Sequence, residues 1–219
     1  MKLLLTSNGF VQKSWKVNEA IKQEFLDMLE KPLKDLCVAF IPTAKMYEDA
    51  DKRMYLRVMK FFDELKVKKI DFVEIAGLPH NNWLKRLQDA DVIFIGGGNT
   101  YWLLHCVRES GLDKELAKLL EKRLYIGESA GSILVTPTIN VASIEPADDN
   151  SIGLEDMTGL GLVDFEVSVH TPEEVQPVEN EKYAKTISRK LYAINNNMAV
   201  KVDGNQVELV GEGQHWEYN

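Results

Sequence analysis

The sequence predicts an α/β fold, a mostly parallel sheet with helices on both faces. Three observations predict it. Short unbroken apolar runs recur along the chain, as strands buried on both faces require. Between them lie longer segments whose apolar residues fall three and four apart, the spacing of an amphipathic helix. The two kinds alternate, and parallel strands need such crossovers.

Lys2–Thr6 is the first strand, closed by the turn Ser7-Asn8-Gly9. From Val17 to Leu29, Val17, Ala20, Ile21, Phe25, Met28 and Leu29 mark one helix face. Leu36–Ile41 is a second strand, stopped by Pro42. Ala50–Leu65 carries Met54, Leu56, Val58, Phe61, Phe62 and Leu65 among charges and reads as a helix. Ile70–Ile75 is a strand, Asn82–Leu87 a short helix and Val92–Ile95 a strand. Thr100–Ser110 and Leu112–Glu121 are helices broken at Gly111, and Leu124–Ile126 is a fifth strand. Thr136–Leu162, richer in Pro, Gly and Asp, reads mainly as loop. Phe165–Val169 alternates like a strand and Tyr183–Leu191 is helical. Ala199–Val202 and Val207–Val210 flank Asp203-Gly204-Asn205, a hairpin signal. With no internal repeat or low-complexity linker, residues 1–219 read as one domain.

Composition excludes several classes of function. The chain has 219 residues, 26 Lys and Arg against 34 Asp and Glu, and a net charge of −8. That balance argues against a nucleic-acid partner, which needs clustered cations. No apolar run is long enough for a membrane span, and the leucines of MKLLLTSNGF are too few for a signal-peptide core. Cys37 and Cys106 sit in apolar stretches with no C-x-x-C partner, so neither a disulfide framework nor a thiolate metal site is expected. These features describe a cytoplasmic protein with no metal or cofactor.

The sharpest chemical signal is Gly127-Glu128-Ser129-Ala130-Gly131, a G-x-S-x-G sequence. Chance would give such a match about 0.04 times in this composition, so the pattern alone is modest evidence. Its context is stronger: it follows the strand Leu124-Tyr125-Ile126 and precedes the apolar run Ile133-Leu134-Val135. Strand, sharp turn and helix make a nucleophile elbow, with Ser129 near a helix N-terminus. Glu128 adjoins Ser129, and its side chain is expected to point away from the reacting groups. A Gly-rich turn with a capping serine is the structural alternative.

Gly96-Gly97-Gly98-Asn99-Thr100 ends one strand and opens a helix. It lacks the lysine of a phosphate-binding loop, so an oxyanion hole from Gly98 N–H and Ala130 N–H is the better reading, with Asn99 as a substrate-binding residue. Both loops leave the carboxyl edge of the sheet, where ligands bind. A serine nucleophile needs a base. Of the four histidines, His80 lies in a Pro turn, His105 mid-helix and His215 in the tail, whereas His170 ends a strand downstream of the elbow. His170 is therefore the expected base. The expected acid is Glu145, placed to close a short strand over Ile139–Ile144, with Asp148 and Asp149 as the fallback.

These motifs resemble the peptidase E (aspartyl dipeptidase) family of serine peptidases. The residues that carry the likeness are Leu3–Asn8, Phe40-Ile41-Pro42, Gly96–Thr100, Tyr125–Gly131, Pro137-Thr138-Ile139 and the strand ending at His170. The resemblance implies a class I glutamine amidotransferase-like, flavodoxin-like three-layer sandwich and a Ser–His–acid triad. It also implies hydrolysis of a small peptide substrate. Two departures stand out. Family members carry an Asp after the P-T-I segment, where this chain reads Ala142-Ser143-Ile144-Glu145. They also read a substrate aspartate with an Arg early in the segment after the histidine. Here Thr171–Thr186 has no Arg, only Lys182 and Lys185, together with Glu173, Glu174, Glu179 and Glu181; Arg189 comes later. Aspartyl preference is therefore not expected. An esterase or amidase on the same residues, or a non-catalytic small-ligand module, are the competing functions. A glutamine amidotransferase would need Cys where Ser129 stands.

Overall fold

The computed structural model describes residues 1–47, 49, 51–172 and 178–219. Five parallel strands, reaching inward from one edge, lie side by side in a seven-stranded sheet: β1 (Lys2–Thr6), β2 (Cys37–Ile41), β3 (Lys69–Phe72), β4 (Val92–Ile95) and β5 (Leu124–Glu128). Two antiparallel strands extend it, β8 (Met198–Asp203) and β9 (Gln206–Gly211), in the order β3-β2-β4-β5-β1-β8-β9. The alternation of side chains across the strands makes two cores. Leu4, Phe94 and Ile126 face Ile21 and Phe25 of α1 (Glu19–Met28) and Phe62 of α3 (Arg53–Glu64). On the opposite face, Leu5, Ile95 and Tyr125 meet α4 (His80–Gln88), α5 (Thr100–Ser110), α6 (Leu112–Leu119) and α7 (Ala130–Leu134). The expected mostly parallel, helix-covered sheet is the fold observed.

Register sets up the site. Thr6 pairs with Glu128 and Ile95 with Gly127, so β1, β4 and β5 end level with one another. Antiparallel pairing of Thr6 with Ala199 brings the turn before β8 to that same edge.

Several elements differ from the sequence reading. The helix expected over Tyr183–Leu191 is instead α8 (Val178–Ala184), and Leu191 opens a strand, β7 (Leu191–Ile194). The spacing of Tyr183, Ala184, Ile187 and Leu191 imitates a helix face. The C-terminal Asn219 side chain donates to the carbonyls of Ala184, Ile187 and Arg189, pinning the segment out of the helix. β7 pairs with β6 (Glu166–Ser168) and with the unexpected β10 (His215–Tyr218) in a second, three-stranded sheet. The expected strand over Ile139–Ile144 is a 3-10 turn at Asn140–Ser143, and α2 (Thr43–Met46) was not foreseen. α1 starts at Glu19 because Asn18 caps it, accepting the Ile21 N–H at 3.2 Å. Ala50, the expected start of α3, lies outside the described residues.

Candidate active site

Ser129 sits at the tip of the β5–α7 turn with φ 51° and ψ −111°, outside the regions L-residues favour. Backbone bonds hold it there. Its N–H donates to Thr6 O at 3.0 Å, and its carbonyl accepts from Ser132 N and Ile133 N at 2.8 and 3.1 Å. Both glycines of the motif are steric necessities. A Cβ on Gly131 would lie 2.2 Å from Ile95 O, and one on Gly127 2.7 Å from Ser132 N. The turn can be this tight only where no side chain intervenes.

His170 Nε2 lies 2.8 Å from Ser129 Oγ. His170 takes φ 57° at the end of the chain leaving β6, and its N–H donates to Ser7 Oγ at 2.8 Å. Burial pushes its pKa below the ordinary histidine value. Lys13 pushes the same way, while the bond to Asn196 and the charge of Asp148 oppose the shift. The other histidines do not form this bond. His80 and His105 stack edgewise or tilted on Trp83 and Trp102, and His215 is in β10.

Among the described residues, no hydrogen bond joins Glu145 to His170. Glu145 is exposed, and its carboxylate accepts the Ala147 N–H at 3.3 Å. The strand that was to carry it toward the elbow is a 3-10 turn, which ends facing solvent. Asp148 Oδ2 accepts the Thr100 N–H at the start of α5 (2.8 Å), favourable at a helix N-terminus. Asp149 is exposed, and its carbonyl accepts from Asn99 Nδ2 at 2.7 Å. Asn196 Oδ1 lies 2.6 Å from His170 Nδ1, and Ser7 Oγ lies 3.5 Å from the same nitrogen. Asn196 and Ser7 were both missed. The available signal was Asn195-Asn196-Asn197 directly before a strand, hidden by reading Leu191 as helix. Glu145→Gln is accordingly expected to change peptide turnover by no more than about twofold, as for an exposed residue without a special role. A strong loss in steady-state kinetics would restore it to the site.

Asn99 is likewise not free to bind substrate. It is buried; Oδ1 caps α5 by accepting the Trp102 N–H at 2.8 Å, and Nδ2 holds Asp149 O. Ala130 follows Ser129 directly, while Gly98 packs against the Ala44 backbone, where a Cβ would meet Ala44 O at 2.4 Å. Among the described residues, no hydrogen bond is made by Gly98 N–H or Ala130 N–H. Gly97 touches the elbow: a Cβ there would sit 3.0 Å from Ser129 Cβ.

The Glu128 side chain lies on the α3 face, beside Gly9 and Gly97, as expected away from His170. It lines a cavity of about 10 Å³ with Asn8, Arg57 and Phe61, and its Oε2 has no hydrogen-bond partner among the described residues. Burial raises its pKa to about 7, against the pull of Arg57, the Gly97 N–H and Lys45. A larger cavity of about 320 Å³ lies at the other edge of the sheet, near Lys2, Asp91 and Leu124, where Lys2 pairs with Glu30 and Lys31 with Asp91. Among the described residues, no group of His, Cys, Asp and Glu is placed to hold a metal, and no helix is long and apolar enough to cross a membrane. Burial pushes the Cys106 thiol up to about 12, which makes it inert as a thiolate nucleophile.

The chain resembles known proteins in sequence and in fold. The model of peptidase family S51 matches residues 3–210. An uncharacterized peptidase of Listeria monocytogenes is 31% identical over 208 residues, covering 91% of this chain and 96% of that protein. Peptidase E of a Nostoc species is 26% identical, over 87% and 78% of the two chains. A crystal structure of a candidate peptidase E from Listeria monocytogenes superimposes with a TM-score of 0.79 at 26% identity, covering 97% of this chain and 98% of that one.

Proposed function

The chain belongs to peptidase family S51 and is therefore a hydrolase; from that premise we propose that it is a serine hydrolase of short peptides, with Ser129 as nucleophile and His170 as general base. The observation that carries this reading is the 2.8 Å contact between His170 Nε2 and the Oγ of a serine held on a strained elbow. Ser129 Oγ attacks the peptide carbonyl carbon as its proton passes to His170 Nε2. The carbonyl oxygen becomes an oxyanion, received by the N–H groups of Gly98 and Ala130. The C–N bond breaks, His170 returns the proton to the leaving amine, and an acyl-enzyme remains. Water then attacks with His170 taking its proton, the Ser129 ester bond breaks, and Ser129 Oγ is reprotonated. The unpaired Cys37 and Cys106 fit a reducing compartment, and we place the enzyme in the cytoplasm.

Labelling with a fluorophosphonate tests the reading. One adduct, mapped to Ser129, is the expected result. Absence of an adduct would leave the non-catalytic ligand-binding alternative.

Substrate charge is set by the cations within reach. Arg189 is bound to the buried Glu166 carboxylate at 3.2 Å. Lys182 pairs with Glu179 within α8, and Lys185, just past its end, pairs with Glu181, while Glu173 and Glu174 lie outside the described residues. No bidentate Arg is thus offered to an acidic substrate side chain from this segment. Asp-Leu is expected to show no advantage over Ala-Leu in kcat/KM. A preference of about tenfold, or about 1.4 kcal/mol of transition-state discrimination, would establish an aspartyl dipeptidase instead.

A further inference from the structure

Resting on the assignment of Ser129 and His170 above, we propose that Asn196 and Ser7 occupy the position of a triad's acid, so that His170 is oriented by neutral hydrogen-bond partners and not by a carboxylate. The sheet brings them there. Ser7 follows β1 directly and Asn196 lies in the turn before β8, and the pairing of Thr6 with Ala199 sets these two segments side by side. Ser7 is fully buried. Its Oγ receives the backbone N–H of His170 at 2.8 Å, and its hydroxyl donates to Asn196 Oδ1 at 3.4 Å.

Ser7 Oγ also lies 3.5 Å from His170 Nδ1, and because a hydroxyl can donate or accept, the tautomer of the ring follows from which end of the Asn196 amide faces it. With Oδ1 toward His170 at 2.6 Å, Nδ1 carries the proton and Nε2 presents a lone pair to Ser129. With the amide reversed, its NH2 would donate to Nδ1, the proton would sit on Nε2, and the ring could not accept from serine. Orientation of the ring and choice of tautomer are two of the three tasks of a triad acid. Stabilising the imidazolium that forms as Ser129 attacks is the third, and a neutral amide does it only weakly. The charged groups acting on the ring are Asp148, which favours the imidazolium, and Lys13, which opposes it. Burial raises the pKa of Glu128, next to Ser129 in the chain, to about 7. His170 therefore remains an unprotonated base to lower pH than a carboxylate-backed histidine, with less driving force for taking the proton.

Asn196 is exposed, so Asn196→Asp introduces a carboxylate at Nδ1 without burying a charge. The His170 pKa, followed by NMR of the imidazole nitrogens, is expected to rise by about one unit or more, the range of a nearby opposite charge. The acid limb of kcat/KM should move up with it, and kcat above that limb should increase. Asn196→Leu, which removes the acceptor, should lower kcat about 100-fold or more with little change in KM, while Asn196→Asp retains turnover. A residue that merely shaped the turn would leave the histidine titration where it was. The nitrogen spectra decide the matter even in a protein that turns over no peptide, so this proposal and the hydrolase assignment fail separately. An Nε2–H tautomer in the unsubstituted protein, or a His170 pKa unmoved in Asn196→Asp, would overturn it.

Discussion

Replacing Ser129 with alanine is expected to lower peptide turnover by about three orders of magnitude or more, with the fold intact. Both halves follow from what its atoms touch. The strained backbone is held by main-chain bonds to Thr6, Ser132 and Ile133, and alanine keeps all of them. Among the described residues, the hydroxyl bonds to His170 alone. Removing it takes away the nucleophile and one partly exposed hydrogen bond, so the melting temperature should move by only a few degrees. The other serine of the turn cannot substitute: Ser132 is fully buried and its Oγ donates to Thr6 O at 2.8 Å. Single-turnover kinetics on an alanine variant whose melting transition matches the unsubstituted protein are the check. Residual hydrolysis above about one per cent would move the chemistry away from Ser129.

Most of the sheet and half of the site were legible in the sequence, for one physical reason. Strands buried on both faces, and a tight turn that excludes side chains, leave local signatures. LLLT, VAFI, VIFI and the Gly127/Gly131 pair each describe their own environment. Ser129 and His170 could be read because each closely follows the carboxyl end of a strand, β5 and β6. The partner of His170 could not be read that way. It depends on an antiparallel strand returning beside β1, a contact between residues 189 positions apart. Chain order points to an acid between elbow and histidine, whereas the sheet brings Asn196 in from beyond the histidine. Asn99 misled for a related reason. Its place in a glycine loop suggested ligand binding, but Asn is also a preferred N-cap, and α5 uses it as one.

His170→Asn should abolish turnover to a similar degree, about a thousandfold or more, through the base and not the backbone. His170 holds φ 57°, a conformation that asparagine tolerates better than most residues. The bonds that shape the turn are main-chain donors, from His170 N–H to Ser7 Oγ and from Thr171 N–H to Ile194 O. The variant should therefore fold, retain Ser129, and lose reactivity toward a fluorophosphonate in step with peptide turnover. The pH dependence of the unsubstituted enzyme carries the same assignment. The base works only when neutral, and burial holds the His170 pKa below its usual value near 6.5. The acid limb of kcat/KM should then fall below pH 6.5. Glu128, with a pKa raised to about 7, would place a limb higher. In Glu128→Gln the lower limb should remain where it was, since the titrating base is unaltered. A limb that vanished in that variant would show that the activity follows the Glu128 carboxyl, and a His170→Asn enzyme that still hydrolysed peptides would remove the histidine from the mechanism.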